Sequence, residues 1–150
     1  RPVELGGLTL EMVELFGPAV EDAGQTLRVD APYGPVIARA HETLLRQALG
    51  NLLHNAVVHA GEGADIVVGV AEADHGALQV SVADTGRGVP IEQLGRVQER
   101  FVRLEESRTT PGAGLGLALV AACAKLHGGR LLLEDNGPGL RAVMELPAAG

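Results

Sequence analysis

At 150 residues and 46% hydrophobic content the chain has the size and the apolar material of one domain, enough to bury roughly 70% of its unfolded surface. Aromatic residues make up only 2%, so the core has to be aliphatic, and a net charge of −7 argues against a nucleic acid or an anionic membrane held by a basic surface. The single cysteine, Cys123, sits in the apolar run LGLALVAACA, reads as a small core residue and points to a reducing compartment. That run falls short of the ~20 residues of a membrane span. No signal peptide is evident, and the opening on Arg1 rather than methionine reads as a fragment or a processed product.

In chain order, residues 8–23 carry apolar residues at helical spacing, with Pro18 expected to kink or break the helix. TLRVDA (26–31) alternates as a strand, and residues 32–35 form a Pro/Gly turn. A second helix is expected from about His41 to Ala60, ended by Gly61. ADIVVGVAEA and GALQVSVAD read as a hairpin joined at Ala73–Gly76. Residues 84–90 are irregular, and 91–113 are polar and poorly periodic. A third helix begins near Gly114 and stops before Gly128. RLLLED and LRAVMELP then flank the turn NGPG. Adjacent strand pairs mixed with helices predict an α+β fold: a two-layer α/β sandwich in which three helices cover one face of a mixed sheet of about five strands. The chain is read as one domain, 1–150.

Three segments carry candidate chemistry. NLLHNA puts Asn51 and Asn55 one helical turn apart on one face, beside a leucine stripe; such a pair also fits a plain polar surface. DTGRGVP follows a strand directly. Asp84 at the strand end can accept from an amino group, and Gly86 and Gly88 let the backbone turn and approach a ligand, although an ordinary turn explains the segment too. PGAGLGLALV spaces three glycines by two ahead of an apolar helix start, where free N–H groups and the positive helix end suit an anion. It lacks the pattern of a dinucleotide fingerprint, and the only lysine, Lys125, lies outside any glycine loop, which excludes a P-loop.

In this order the three segments resemble the ATPase superfamily of gyrase, mismatch-repair ATPases, some chaperones and histidine kinases. NLLHNA is similar to its N box, DTGRGVP to its G1 box and GAGLGL to its G2 box. ERFVRLEESR resembles the F box of histidine kinases through Phe101, Arg103, Ser107 and Arg108, and LHGGR and the closing ELP are also similar. The resemblance runs from about Val3 to Pro147 and implies the ATP-binding catalytic domain of a sensor histidine kinase. Such a domain uses ATP and Mg²⁺ and donates the γ-phosphoryl group to a histidine on a helical phosphoacceptor domain. A response regulator acts downstream.

Carried over from that family, Asn55 would give its oxygen to Mg²⁺, and Asn51, counted among the catalytic residues, would lie beside the phosphates and the metal. Because Asn51 is not the glutamate that activates water in the gyrase branch, the resemblance implies phosphoryl transfer over hydrolysis. Asp84 would bind the adenine amino group, with Gly86, Gly88 and Val89 lining the base. Residues 95–112 would form a mobile ATP lid. Gly112, Gly114 and Gly116 would wrap the phosphates, with Leu115 and Leu117 counted in the same ATP-binding segment. Where the family often has Lys or Arg, three residues after the magnesium asparagine, this chain has Val58; His59 follows and is expected to touch the nucleotide. Arg103 and Arg108 are then the candidate catalytic cations.

None of the five histidines sits in an acceptor context. His41-Glu42 continues as TLLRQ, unlike the acceptor box, and reads as a solvated helix start. His54 is expected to face solvent, His75 to lie in the hairpin turn, and His127 to sit as a cation near a helix C-terminus. Autophosphorylation of this chain alone is therefore not expected. Two alternatives stay open: a pseudokinase or nucleotide-sensing module, suggested by Val58, and an anti-sigma serine kinase, which the F-box-like segment opposes. Expected localisation is cytoplasmic, as the cytoplasmic part of a membrane-bound sensor or otherwise, with no nucleic acid partner and no direct membrane contact.

Overall fold

The computed structural model describes residues 2–32, 34–73, 76–86 and 115–147. The order is β1 (Pro2–Glu4), α1 (Leu5–Asp22), β2 (Thr26–Asp30), β3 (Ile37–Arg39), α2 (Glu42–Ala60), β4 (Asp65–Glu72), β5 (Leu78–Asp84), α3 (Leu115–Leu126), β6 (Arg130–Asp135) and β7 (Leu140–Leu146). Strands β2-β4-β5-β7-β6 form a five-stranded sheet, and β1 with β3 forms a separate antiparallel pair. β2 runs parallel to β4, whereas the other neighbours are antiparallel, so the sheet is mixed. The parallel step is bridged by the crossover through β3 and α2, as parallel pairing requires.

Alternation decides the two faces. Ile66, Val68 and Val70 of β4, Leu78, Val80 and Val82 of β5, and Ala142, Met144 and Leu146 of β7 are buried. They pack with Leu45, Leu49, Leu52 and Leu53 of α2 and with Leu117, Val120 and Ala124 of α3 in one aliphatic cluster. Leu5, Leu8 and Met12 extend it under α1. Burying one such side chain contributes roughly 1.5–3 kcal/mol, and this cluster is where the α+β two-layer sandwich is held together. Cys123 belongs to it at 5% exposure, and burial pushes its thiol pKa up.

Several local details differ from the sequence reading. α1 runs unbroken through Pro18, which lies on the exposed side; the proline removes one N–H there, but solvent can serve the freed carbonyl of the preceding turn. The helix also starts earlier than its apolar pattern, because the Glu4 carboxylate accepts from Gly6 N at 2.9 Å and Gly7 N at 2.8 Å and so caps an otherwise weak glycine start. It also accepts from Val36 N at 3.1 Å. These three bonds, that from Val36 foremost, hold the Glu4 pKa below its ordinary range. β1 and β3 were not read from the sequence; each has three residues with a single inward side chain, Val3 or Ala38, too short for alternation to show.

The hairpin is closed by Ala73 N donating to Ala77 O at 2.7 Å; His75 lies outside the described residues. His127 bridges two backbone groups: its Nδ1 lies 2.7 Å from Cys123 O, and its Nε2 accepts from His41 N at 3.1 Å. His41 is exposed at the α2 N-cap and His54 is exposed as well. Among the described residues no helix is long and apolar enough to cross a membrane.

Candidate active site

The C-terminal half of α2 and the end of β5 meet at one edge of the helical layer. Leu52, Leu53 and Ala56 bury one side of α2. That orientation leaves Asn51 and Asn55 half-buried on the border, and Val58 and His59 exposed in the next turn. The predicted polar stripe beside an apolar one is therefore present. Asn51, Asn55 and His59 lie at helical spacing along this border.

Asp84 closes β5 and is buried at 7% exposure. Its Oδ1 accepts from Gly86 N at 2.9 Å and more weakly from Leu140 N at 3.4 Å. Asn136 Nδ2 donates to the Asp84 carbonyl at 2.7 Å. The carboxylate is thus aimed by the turn that follows it and by the β6–β7 turn, while Oδ2 accepts nothing from the described residues.

Two glycines make this arrangement possible. A Cβ on Gly86 would stand 2.4 Å from Ala60 O, so the segment after Asp84 lies directly on the last residue of α2. A Cβ on Gly139 would stand 1.7 Å from Asp84 O, and its φ of +107° is itself unfavourable for other residues. The G1-like glycine thus serves close approach between the strand end and the asparagine helix. Gly139 was not singled out from sequence; NGPG gave only a turn, and nothing local marks its contact with Asp84.

Leu115 and Gly116 open α3, and Leu117 is a core residue at 2% exposure. The Leu117 side chain is therefore not in a position to meet a ligand. Gly88, Val89, Arg103, Arg108, Gly112, Gly114 and the expected lid at 95–112 lie outside the described residues.

Among the described residues no group of three or more His, Cys, Asp or Glu side chains could hold a metal ion. Asn55 instead offers a single hard amide oxygen, a donor set that fits Mg²⁺, which retains waters and takes further oxygens from substrate phosphates. A separate groove of about 440 Å³ lies on the sheet face away from α2 and α3, lined by Asp30, Gly69, Glu72, Gln79, Ser81 and Arg141 among others. It includes neither asparagine nor Asp84.

Residues 40–150 match the model of the histidine kinase-, DNA gyrase B-, and HSP90-like ATPase family. The adaptive-response sensory kinase SasA of Crocosphaera subtropica is 34% identical over 91% of this chain and 36% of its own length. Sensor protein IrlS of Burkholderia pseudomallei is 39% identical over 87% of this chain and 28% of its own length. The chain therefore spans 28–36% of the length of these relatives. Among solved structures, the nucleotide-free catalytic domain of histidine kinase ThkA superposes with a TM-score of 0.83 at 25% identity, covering 98% of this chain and 96% of that one. Full-length ShkA in complex with AMPPNP gives a TM-score of 0.82 at 33% identity, over 99% of this chain and 31% of that one. With its fold, its ordered motifs and these relatives, the chain belongs to the histidine kinase-, DNA gyrase B- and HSP90-like ATPase family, and its similarity is to the catalytic domains of sensor histidine kinases.

Proposed function

We propose that this chain is a single catalytic domain that binds MgATP and donates the γ-phosphoryl group to a histidine on a separate helical phosphoacceptor domain, from which a response regulator is served. The observation that carries the reading is the seating of Gly86 on Ala60 O. It brings Asp84, the one buried carboxylate among the described residues, beside the helix that bears Asn51 and Asn55.

In this reading Asp84 accepts the adenine amino hydrogen bond, and the close seating of Gly86 on Ala60 holds it beside α2. Asn51 borders the phosphates. Asn55 would hold Mg²⁺, which supplies charge neutralisation between phosphate oxygens. The backbone N–H groups at the start of α3 face the phosphate anion with the positive helix end. Arg103 and Arg108 supply the cationic contacts that Val58 does not. Asn51 lacks the basicity to activate water, which favours transfer to a histidine over hydrolysis. The complex of ShkA with AMPPNP supports nucleotide binding at this fold. Cytoplasmic placement follows from the need for ATP.

The test is transfer of label from the γ-phosphate of ATP to a separately supplied phosphoacceptor domain of a sensor histidine kinase. Acid-labile label on the acceptor supports the reading. Nucleotide binding with no transfer to any such acceptor would instead favour a pseudokinase, the alternative suggested by Val58, which is 57% exposed and brings no charge to the last turns of α2.

A further inference from the structure

Gln25 sits in the link between α1 and β2, yet it is buried at 6% exposure. Its Nε2 donates to Val57 O and to Gly61 O, each at 3.0 Å. Its Oε1 is buried and accepts no hydrogen bond among the described residues.

These bonds close the end of α2. The last four carbonyls of a helix have no partner within it, and a common remedy folds the following N–H groups back over them. Here Gly61, at φ 88° and ψ 166°, turns the chain away in a region that only glycine adopts readily. Ala64 N folds back on Gly61 O at 3.3 Å, and Gln25 adds two amide bonds, to Val57 O and Gly61 O. The link that carries Gln25 is itself anchored: Gly63 N donates to Gly24 O at 2.9 Å, Thr26 N to Ala64 O at 3.0 Å, and Gln25 N to Val20 O at 3.0 Å. A side chain fixed at its root therefore holds the last turn of α2.

That helix end is part of the candidate site. Val57 lies between Asn55 and His59, and Ala60 is the residue on which Gly86 rests. We propose that Gln25, which touches no ligand, is a positioning residue: by capping α2 it sets the last turns of the asparagine helix against the Asp84–Gly86 segment, and with them the affinity for nucleotide. The inference rests on the nucleotide-binding reading above. An apolar side chain could fill the space without the cost of a buried amide oxygen that accepts nothing among the described residues. The two donor bonds are what an apolar residue cannot supply.

The test compares wild type with Gln25→Met, which keeps the length and loses the donors. Affinity for MgADP is measured at a temperature well below both melting transitions, so that only folded protein is compared. The expected result is a dissociation constant raised about tenfold. A lowered melting temperature with affinity within about twofold of wild type would overturn the proposal, since a purely structural residue behaves that way. Should Gln25→Met not fold, Gln25→Asn retains a buried amide but is one methylene short of both carbonyls, and the same loss of affinity is expected. Failure of both variants to fold would make Gln25 a core requirement and overturn its assignment to the site. Absence of MgADP binding by wild type would refute the nucleotide reading itself, before any variant is compared.

Discussion

Replacing Asp84 by asparagine separates what the residue does for the fold from what it does for a ligand. The Oδ1 atom, which accepts from Gly86 N at 2.9 Å and Leu140 N at 3.4 Å, has a counterpart in the asparagine amide oxygen. Both internal bonds can therefore survive, and the cost in stability should stay under about 1 kcal/mol. The second oxygen becomes an NH₂ group, a donor facing the adenine amino donor, and the carboxylate charge is gone. A hydrogen bond to a charged group contributes roughly 1.5–3 kcal/mol, which corresponds to a loss of about 10- to 150-fold in affinity. Asp84→Ala should lose the same affinity and also destabilise the fold by roughly 1–3 kcal/mol, because partly buried N–H groups are left without an acceptor. The assay is isothermal calorimetry with MgADP, alongside thermal melts of the ligand-free variants. Folded Asp84→Asn that binds MgADP as tightly as wild type would refute the adenine assignment.

Other outcomes follow from single contacts. Gly139→Ala has to displace Asp84 O from 1.7 Å and adopt an unfavourable φ, so chemical denaturation should show a loss of several kcal/mol or no folded protein at all; a near-neutral variant would mean that the β6–β7 turn does not aim Asp84. The Glu4 pKa is lowered by the N–H groups of Val36, Gly6 and Gly7, so its stabilisation is present above the ordinary glutamate range and is lost as pH falls through the lowered value. Glu4→Ala should accordingly cost about 1 kcal/mol at neutral pH, and urea midpoints of the two proteins should converge in acid; a constant gap would contradict the capping role. Val58 is 57% exposed, so Val58→Lys should change stability by no more than about 0.5 kcal/mol. It should also strengthen binding of ATP over ADP in a competition titration, and unchanged ATP affinity would show that the side chain does not reach the phosphates.

The larger elements were legible because their signals are long. The leucine stripe of α2 and the apolar runs of β4, β5 and β7 predicted these elements, and the ordered motifs singled out Asn51, Asn55, Asp84 and Gly86 as candidates. What was not legible rests on contacts between distant parts of the chain. Nothing beside Gly6 and Gly7 signals a helix start until Glu4 is seen capping them, and nothing beside Pro18 tells that its ring faces solvent. His127 reads locally as a cation at a helix end, and nothing there signals its bond to the backbone N–H of His41, 86 positions away. Gly139 and Gln25 likewise matter only through partners across the fold.

The central claim is that a nucleotide binds at the junction of α2 and β5, and mapping MgADP onto the backbone amide spectrum of the wild-type domain tests it most directly. The account predicts the largest shifts at Asn51, Asn55, His59, Asp84 and Gly86, with Asp30, Gln79 and Ser81 on the opposite sheet face unmoved. Shifts concentrated in the groove of Asp30, Gln79 and Ser81, or no shifts at saturating MgADP, would contradict it.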